Sequence, residues 1–105
     1  MVLDEQRKQK DEAERWVFVL YVSGKTKLSR GAIRNLHEIC EEYLEDRYNI
    51  QIIDIEKRPE IGTEKGIIAS PKLIRELPKP VKRVTGDLSR REKAIVVLDI
   101  KRKPL

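Results

Sequence analysis

The sequence has very few of the residues from which disulfides and metal sites are built. Among its 105 residues there is one cysteine, Cys40, and one histidine, His37. A single cysteine forms no internal disulfide, and one Cys with one His falls short of the usual zinc ligand sets. We therefore predict no metal site and no cofactor, and we interpret Cys40 as a small buried apolar residue.

Long apolar runs are also absent from the sequence. No stretch approaches the roughly 20 apolar residues that cross a bilayer. Residues 1–15 are charged, whereas a secretory signal has an apolar centre. We therefore expect a soluble, cytoplasmic protein that makes no membrane contact. A hydrophobic content of 39% is enough for one modest core, which predicts a single domain.

Aromatic residues are few, which argues against single-stranded nucleic acid as the partner of the basic region. Residues 72–105 carry eleven basic and four acidic side chains, a net charge of +7, while the whole chain has +5. A basic surface attracts acidic partners, either nucleic acid or an acidic protein surface. The same region contains no aromatic residue, so it lacks a platform on which single-stranded bases stack. Of the two kinds of acidic partner, nucleic acid is therefore the weaker alternative. A third possibility also stays open, namely that the basic region is a solvated surface without a partner.

The first half of the chain predicts a strand, a helix and a second strand. The run WVFVLYV, residues 16–22, is β-branched and aromatic, which predicts a central strand covered on both sides. From Leu28 the apolar residues recur at helical spacing, which predicts an amphipathic helix that ends near Asp46. The segment IQIIDI, residues 50–55, predicts the second strand. The helix is long enough for a parallel, right-handed crossover.

The second half of the chain predicts shorter elements. Residues 59–66 favour a turn or two of helix that begins at a proline. KLIREL, residues 72–77, and VKRVT, residues 81–85, predict two short strands joined by a Pro-Lys-Pro turn. Ser89 and Glu92 have the spacing of a capping box, which predicts the start of a last helix.

The segment AIVVLDI, residues 94–100, carries conflicting signals. Its first half continues the predicted helix, while its β-branched residues suit a strand equally well. Such a conflict is typical of a functional or strained element. The order β α β α β β α predicts a thioredoxin-like α/β domain over residues 16–100. A charged extension, residues 1–15, precedes this domain, and a basic tail, residues 101–105, follows it.

The stretch YVSGKTKLS, residues 21–29, lies at the turn between the first strand and the first helix. A phosphate-binding loop of the Walker type needs a glycine five residues before Gly24, and Val19 occupies that position. We interpret the stretch as a tight turn in which Gly24 supplies backbone freedom and Thr26 or Ser29 caps the helix. Redox-active thioredoxins carry Cys-x-x-Cys at this turn, and no cysteine is present here. We therefore predict that the protein is not an enzyme.

Three prolines cluster in the second half, at positions 71, 78 and 80. Thioredoxin-like folds commonly have a cis proline directly before the third strand, which is the position of Pro71. A cis X–Pro bond costs only about 0.5–1 kcal/mol relative to trans. Two interpretations stay open: the prolines shape turns, or their isomers differ between conformations.

Five stretches follow one another in a specific series: LYVSGKT, SRGAIRNLHEICEEYL, YNIQIIDIEKRPE, IIASPKLIRELPKPVKR and GDLSRREKAIVVLDI. Together they resemble the KaiB family of circadian clock proteins, from about residue 16 to residue 100. The resemblance implies a non-enzymatic regulator of a clock, or of related timing or stress responses, that binds a KaiC-like hexameric ATPase. It also implies KaiA or a sensor histidine kinase as further partners.

The resemblance further implies that the chain switches between two folds. A thioredoxin-like monomer binds the partner, while a homo-oligomeric ground state, a dimer or tetramer, has the order βαββααβ. Val97 stands where the family often has glycine. Loss of glycine favours helix, while the branched side chain of valine also suits a strand, and with the Ser89–Glu92 cap we expect the balance to favour the thioredoxin-like form. The residues that the resemblance implicates in the switch are Pro71, Pro78, Pro80, Val97 and Asp99.

Basic residues of the last third are the predicted contacts for an acidic partner surface. Arginine is enriched at interfaces, which favours Arg75 and Arg83 among them. Residues 101–103, Lys-Arg-Lys, stand where cyanobacterial members of the family have an acidic tail, which indicates a homologue from outside the cyanobacteria. The four predicted contact residues are Lys72, Arg75, Lys82 and Arg83.

Overall fold

The computed structural model of the protein describes residues 15–67 and 70–102. The elements follow the predicted order βαβαββα. The predicted charged extension, apart from Arg15, and residues 103–105 of the predicted tail lie outside the described residues. The elements are β1 (Trp16–Val22), α1 (Lys27–Tyr43), β2 (Tyr48–Asp54), α2 (Pro59–Glu64), β3 (Lys72–Leu77), β4 (Lys82–Thr85) and α3 (Arg91–Val97).

The four strands form one sheet in the order β2-β1-β3-β4. β1 is parallel to β2 and antiparallel to β3, and β4 is antiparallel to β3. The predicted central strand is confirmed, since β1 has a neighbour on each side and six of its seven residues are buried. This topology confirms the thioredoxin-like fold and differs from the alternative order βαββααβ.

The first helix begins at a side-chain cap. Thr26 is its N-cap, and the Thr26 hydroxyl accepts a hydrogen bond from the Ser29 backbone N–H at 3.1 Å. Of the two predicted capping residues, Thr26 therefore takes the role. The helix ends at Tyr43, ahead of the predicted Asp46, because the chain leaves helical geometry at Glu45, which has a φ of +50°.

The sheet has two unequal faces, which we call the main face and the α2 face. Among the described residues, the buried hydrophobic cluster of the α2 face consists of Val19, Tyr21 and Ile74, and α2 packs there through Ile61. On the main face α1 and α3 cover the sheet, and burial of each large apolar side chain there contributes about 1.5–3 kcal/mol. The buried residues of the main face are Trp16, Phe18, Leu20, Val22, Ala32, Leu36, Ile39, Cys40, Leu44, Leu73, Leu88, Ala94, Leu98 and Ile100.

The last helix resolves the conflict in residues 94–100. The segment is helical to Val97, and a turn then leads to the buried Ile100. Asp99, in that turn, has a φ of +53°. Its N–H donates to the Val96 carbonyl at 3.1 Å, and the N–H of Ile100 donates to the Ile95 carbonyl at 3.0 Å. This pair of bonds is the Schellman end of a helix, in which glycine usually takes the place of Asp99.

The predicted capping box of α3 is wrong. The N-cap is Arg90, which makes no side-chain cap bond, so Ser89 lies one residue too early to cap. The backbone N–H of Ser89 instead donates to Asp87 Oδ1 at 3.0 Å, which closes a local turn ahead of the helix. In the described part of the chain, no helix is long and apolar enough to span a bilayer.

Candidate functional site

The β3–β4 pair divides the four predicted contact residues between the two faces of the sheet. Ile74 lies opposite Arg83, and Arg75 lies opposite Lys82. Paired residues project to the same side of a sheet, and neighbours along a strand project to opposite sides. Because Ile74 belongs to the α2 face, Arg83 and Lys72 lie on that face. Arg75 and Lys82 lie on the main face, so the four residues do not form one cluster.

Arg75 is buried, with 2% of the residue exposed. Its Nη1 donates to the Leu98 carbonyl at 2.5 Å and its Nη2 to the Pro80 carbonyl at 2.6 Å. The guanidinium also lies over the Trp16 ring, 5.3 Å from the centroid, at a distance typical of a cation–π contact. The prediction that Arg75 offers a surface charge is therefore wrong for this conformation, because the side chain is enclosed by the end of α3 and the β3–β4 turn.

The other three predicted contact residues are accessible. Arg83 is exposed, while Lys72 and Lys82 are half-buried. On long cationic side chains, partial burial of the aliphatic stem leaves the charged end in water. These residues can therefore meet a partner in this conformation, from two sides of the β3–β4 hairpin.

A groove of about 530 Å³ runs along the α2 face beside α2. Val19, Tyr21 and Ile53 contribute apolar surface to it, and Arg58 and Glu76 are charged residues of its lining. Burial, together with the negative charge of Glu76, raises the pKa of Tyr21. The Tyr21 hydroxyl therefore stays protonated at neutral pH. The groove is apolar with charges of both signs, unlike the basic surface of β4 and α3.

A smaller pocket of about 250 Å³ lies between β4 and the beginning of α3. The exposed residues Arg90 and Lys93 line it, and Asp87 contributes a carboxylate. Hydrogen bonds from the Ser89 side chain and backbone hold the pKa of Asp87 below its usual value. Asp87 is therefore ionised at neutral pH, and its charge offsets part of the positive charge here.

The turn after β1 is closed by a carboxylate. Gly24, with a φ of +67°, donates its backbone N–H to Asp54 Oδ1 at 2.9 Å. In a phosphate-binding loop, free backbone N–H groups meet the ligand, whereas here Asp54 occupies the Gly24 donor. The prediction of a tight turn with a flexible glycine is confirmed.

The one thiol of the chain, that of Cys40, does not lie at the turn after β1. Cys40 is fully buried in α1, and burial raises its pKa to about 12. A thiolate is the reactive form of cysteine, so Cys40 is inert in the folded protein. Within residues 15–67 and 70–102, no three His, Cys, Asp or Glu side chains are grouped to hold a metal.

The predicted switch residues lie at two places in the second half. Pro71, Pro78 and Pro80 each follow a cis peptide bond, and they flank β3. Val97 is the last residue of α3 and is 39% exposed, while Asp99 lies in the turn that follows. Their role in a switch stays a prediction.

Comparison with known proteins identifies the family. Residues 19–100 match the family model of the KaiB domain. The chain belongs to the KaiB family. It is 42% identical over 89 residues to the circadian clock protein KaiB3 of Synechocystis sp., covering 85% of this chain and 87% of that protein. It is also 42% identical over 85 residues to the circadian clock oscillator protein KaiB of Prochlorococcus marinus, covering 81% of this chain and 75% of that protein.

Solved structures similar to this KaiB chain have thioredoxin-like folds. The N-terminal domain of Synechococcus elongatus SasA has a TM-score of 0.67 at 16% identity, over 89% of this chain and 91% of that domain. Chloroplastic thioredoxin z has a TM-score of 0.66 at 18% identity, over 90% of this chain and 85% of that protein. At these identities the likeness shows the shared fold alone.

A polar connection between α1 and α3 was not predicted from the sequence. Asn35 is buried in α1, and its Nδ2 donates to the Asp87 carbonyl at 2.8 Å. The Asn35 Oδ1 accepts from Arg91 Nη2 at 3.2 Å, and Arg91 also forms an ion pair with Glu38. The one available signal was a polar residue, Asn35, on the apolar side of a predicted amphipathic helix.

A second unpredicted contact joins the end of the described chain to α1. Arg102 donates to the backbone carbonyl of Glu42 at 3.1 Å and to its carboxylate at 3.3 Å. Its guanidinium also lies 4.4 Å from the centroid of the Tyr43 ring. Arg102 of the predicted basic tail therefore packs on the end of α1, whereas Lys101 forms an ion pair with Asp99.

Proposed function

We propose that this protein is a non-enzymatic regulator that binds a KaiC-like hexameric ATPase and acts in a clock or in related timing or stress regulation. The observation that carries the proposal is the KaiB family match, which spans residues 19–100 and thus β1 to α3. Relatives at 41–42% identity are circadian clock proteins, which supports a shared role. The thioredoxin-like conformation described above is the proposed binding form.

We assign the contact with the ATPase to the β3–β4 hairpin. Arg83 and Lys72 present charge on the α2 face, and Lys82 presents charge on the main face. Charged residues at the rim of an interface mainly accelerate association with an oppositely charged surface and fix its orientation. The proposed partner surface is therefore acidic, and binding weakens as the salt concentration rises.

The first experiment tests complex formation. The protein is mixed with the KaiC homologue of its own organism, with ATP, with ADP or without nucleotide, and the mixtures are resolved by size-exclusion chromatography with light scattering. We expect a nucleotide-dependent complex that contains monomers of this protein. If no complex forms overnight at tens of micromolar, while duplex DNA gives a salt-sensitive shift, the nucleic-acid alternative replaces the proposal.

Charge reversal then tests the surface. Arg83→Glu should weaken the complex about fivefold to tenfold, because a favourable rim charge becomes a repulsive one. Lys57→Glu is the control, since Lys57 is an exposed cation in the turn after β2, the edge strand opposite β4 in the sheet. Equal losses for the two variants would place the contact elsewhere.

The proposal also includes a sensor histidine kinase as a competitor, KaiA as a further partner, and a homo-oligomer as the resting state. The fold shared with the SasA N-terminal domain supports competition between this protein and a sensor histidine kinase for one ATPase surface. KaiA is the other proposed partner. A dimer or tetramer of the free protein is proposed as the resting state, and light scattering of the protein alone measures it.

A further inference from the structure

Arg75 places a full positive charge inside the protein. It is the one charged member of the buried residues in the described part of the chain. A guanidinium is not deprotonated in proteins, and a buried charge is strongly destabilising unless other groups compensate it. The groups around Arg75 therefore determine which arrangement of the surrounding segments is stable.

The compensation comes from backbone carbonyls and an aromatic ring. None of the ion pairs among residues 15–67 and 70–102 includes Arg75. One carbonyl belongs to Leu98, at the end of α3, and the other to Pro80, in the β3–β4 turn. The last turn of α3 has no basic residue of its own. Arg75 thus supplies the positive charge that the negative end of a helix favours.

We propose that Arg75 is a latch that makes the docking of α3 and the closure of the β3–β4 turn a single event. If α3 moves away, the guanidinium loses its hydrogen bond to the Leu98 carbonyl. The two contacts that remain, the Pro80 carbonyl and the Trp16 ring, do not compensate the buried charge. Water must then enter, which opens the turn. Apolar packing joins Ala94 and Leu98 of the α3 region to β4 through Val84, but it does not extend to residues 78–81 of the turn, none of which belongs to the main core. The latch does not depend on which partner the protein binds.

A reciprocal perturbation tests the coupling directly. Val96 is 76% exposed on α3, so Val96→Gly weakens the helix without changing the core. We expect amide hydrogen exchange to accelerate in residues 94–100 and also in residues 81–84, about threefold or more in each. In the Arg75→Met background, which keeps an apolar stem and removes the charge, adding Val96→Gly should still accelerate residues 94–100 and should leave residues 81–84 unchanged.

Two controls separate a latch from a purely structural role. Arg83→Met removes an exposed arginine from the neighbouring strand and should leave the coupling intact. Arg75→Lys keeps the charge but cannot reach two carbonyls with a planar fork, so the coupling should fall without vanishing. Trp16 is the only tryptophan, and its fluorescence should change in the Arg75 variants and not in Arg83→Met.

The hydrogen-exchange data distinguish outcomes that support the latch from outcomes that overturn it. The latch is supported if Val96→Gly affects residues 81–84 only when Arg75 is present. It is overturned if the two segments respond independently in the wild-type background. It is also overturned if every variant raises exchange equally in β1 and β2, because that result describes a general loss of stability. Since no partner protein is used, the outcome is independent of the binding experiments.

Discussion

The two halves of the molecule are held together by different interactions. In residues 16–54, β1, α1 and β2 have seven, 17 and seven residues and join mainly through buried apolar side chains. In residues 72–102, β3, β4 and α3 have six, four and seven residues. Arg91 and Arg102 bond to α1. Arg75 bonds within the second half, to Leu98 and Pro80, and contacts the first half at the Trp16 ring. The first half thus supplies nine of the fourteen buried residues of the main core, while the second half supplies five and is also attached by specific polar contacts.

This difference predicts that the halves respond differently to mutation. Loss of apolar packing in the first half should unfold the whole domain, because small domains usually unfold in one cooperative step. Loss of a polar contact in the second half should open that half first, because local opening occurs where few apolar contacts hold a segment. The variants below test this contrast in order of decreasing effect.

The largest effect is expected for Leu36→Ala. Leu36 is fully buried in α1, and such truncations cost about 2–5 kcal/mol. Urea unfolding should show this loss equally by circular dichroism and by tryptophan fluorescence. Leu28→Ala is the control in the same helix, since Leu28 is 55% exposed and should change stability by no more than about 0.5 kcal/mol. Non-coincident unfolding curves would show that the first half does not hold the domain together.

A smaller and more local effect is expected for Asn35→Ala. The change leaves the Asp87 carbonyl without its bond from Asn35, while Arg91 keeps its ion pair with Glu38, and an unsatisfied buried group costs about 1–3 kcal/mol. Hydrogen exchange should therefore accelerate in α3 before it accelerates in β1. The exposed Asn49 provides the control, and Asn49→Ala should leave α3 unchanged. If hydrogen exchange accelerated equally in all strands and in α3, the two halves would not differ in how they open.

Glycine substitutions compare the backbone strain at the C-terminal ends of α1 and α3. Glu45 after α1 and Asp99 after α3 have positive φ values of 50° and 53°, which are unfavourable for residues with a side chain. Asp99→Gly and Glu45→Gly should each stabilise the protein by about 0.5 kcal/mol, after allowance for the greater entropy of glycine in the unfolded chain. Asp99→Ala is the control that removes the charge and keeps the backbone strain.

The readout of this comparison is thermal unfolding combined with hydrogen exchange. We expect Glu45→Gly to slow exchange throughout the sheet and Asp99→Gly to slow it mainly in α3. A gain for Asp99→Ala as large as that for Asp99→Gly would mean that the charge, and not the backbone, is responsible.

The smallest effect is a pH dependence to which both halves contribute. A hydrogen bond from the Gly24 N–H holds the pKa of Asp54 below its usual value, and hydrogen bonds from Ser89 do the same for the pKa of Asp87. For a lowered carboxyl pKa, the stabilisation is present above the unfolded pKa, about 4, and is lost as the pH falls through the folded pKa. The urea midpoint should therefore decline below about pH 4. Asp54→Asn and Asp87→Asn should each make that decline shallower, and an unchanged profile in both would contradict the assignment.

Local periodicity predicted the first half well. The β-branched run of β1 and the helical spacing after Leu28 each depend on residues close in the sequence, and both elements have nearly the predicted bounds. In the second half the signals were weaker because the elements are shorter. The Ser89 cap was wrong by one position, since a capping motif does not specify which residue starts the helix when Asp87 offers a competing turn.

The candidate site was less predictable than the fold. Arg75 was expected to contact a partner because it lies in the basic last third and arginine is enriched at interfaces. Its burial depends on Leu98, 23 residues further along the chain, and on the Trp16 ring. Such long-range contacts leave no periodic signal in a single sequence. Arg83 and Lys72, by contrast, are accessible in the fold, as expected of charged residues on short strands.

The environment of Cys40 makes the protein a reporter of its own unfolding. The thiol is fully buried and has a pKa of about 12, so a thiol reagent meets neither an accessible sulfur nor a thiolate while α1 covers the sheet. Cys40 lies on the side of α1 that packs into the main core, so it becomes accessible when α1 separates from that core. The rate of its alkylation therefore counts complete unfolding events in the unmodified protein, with no label introduced.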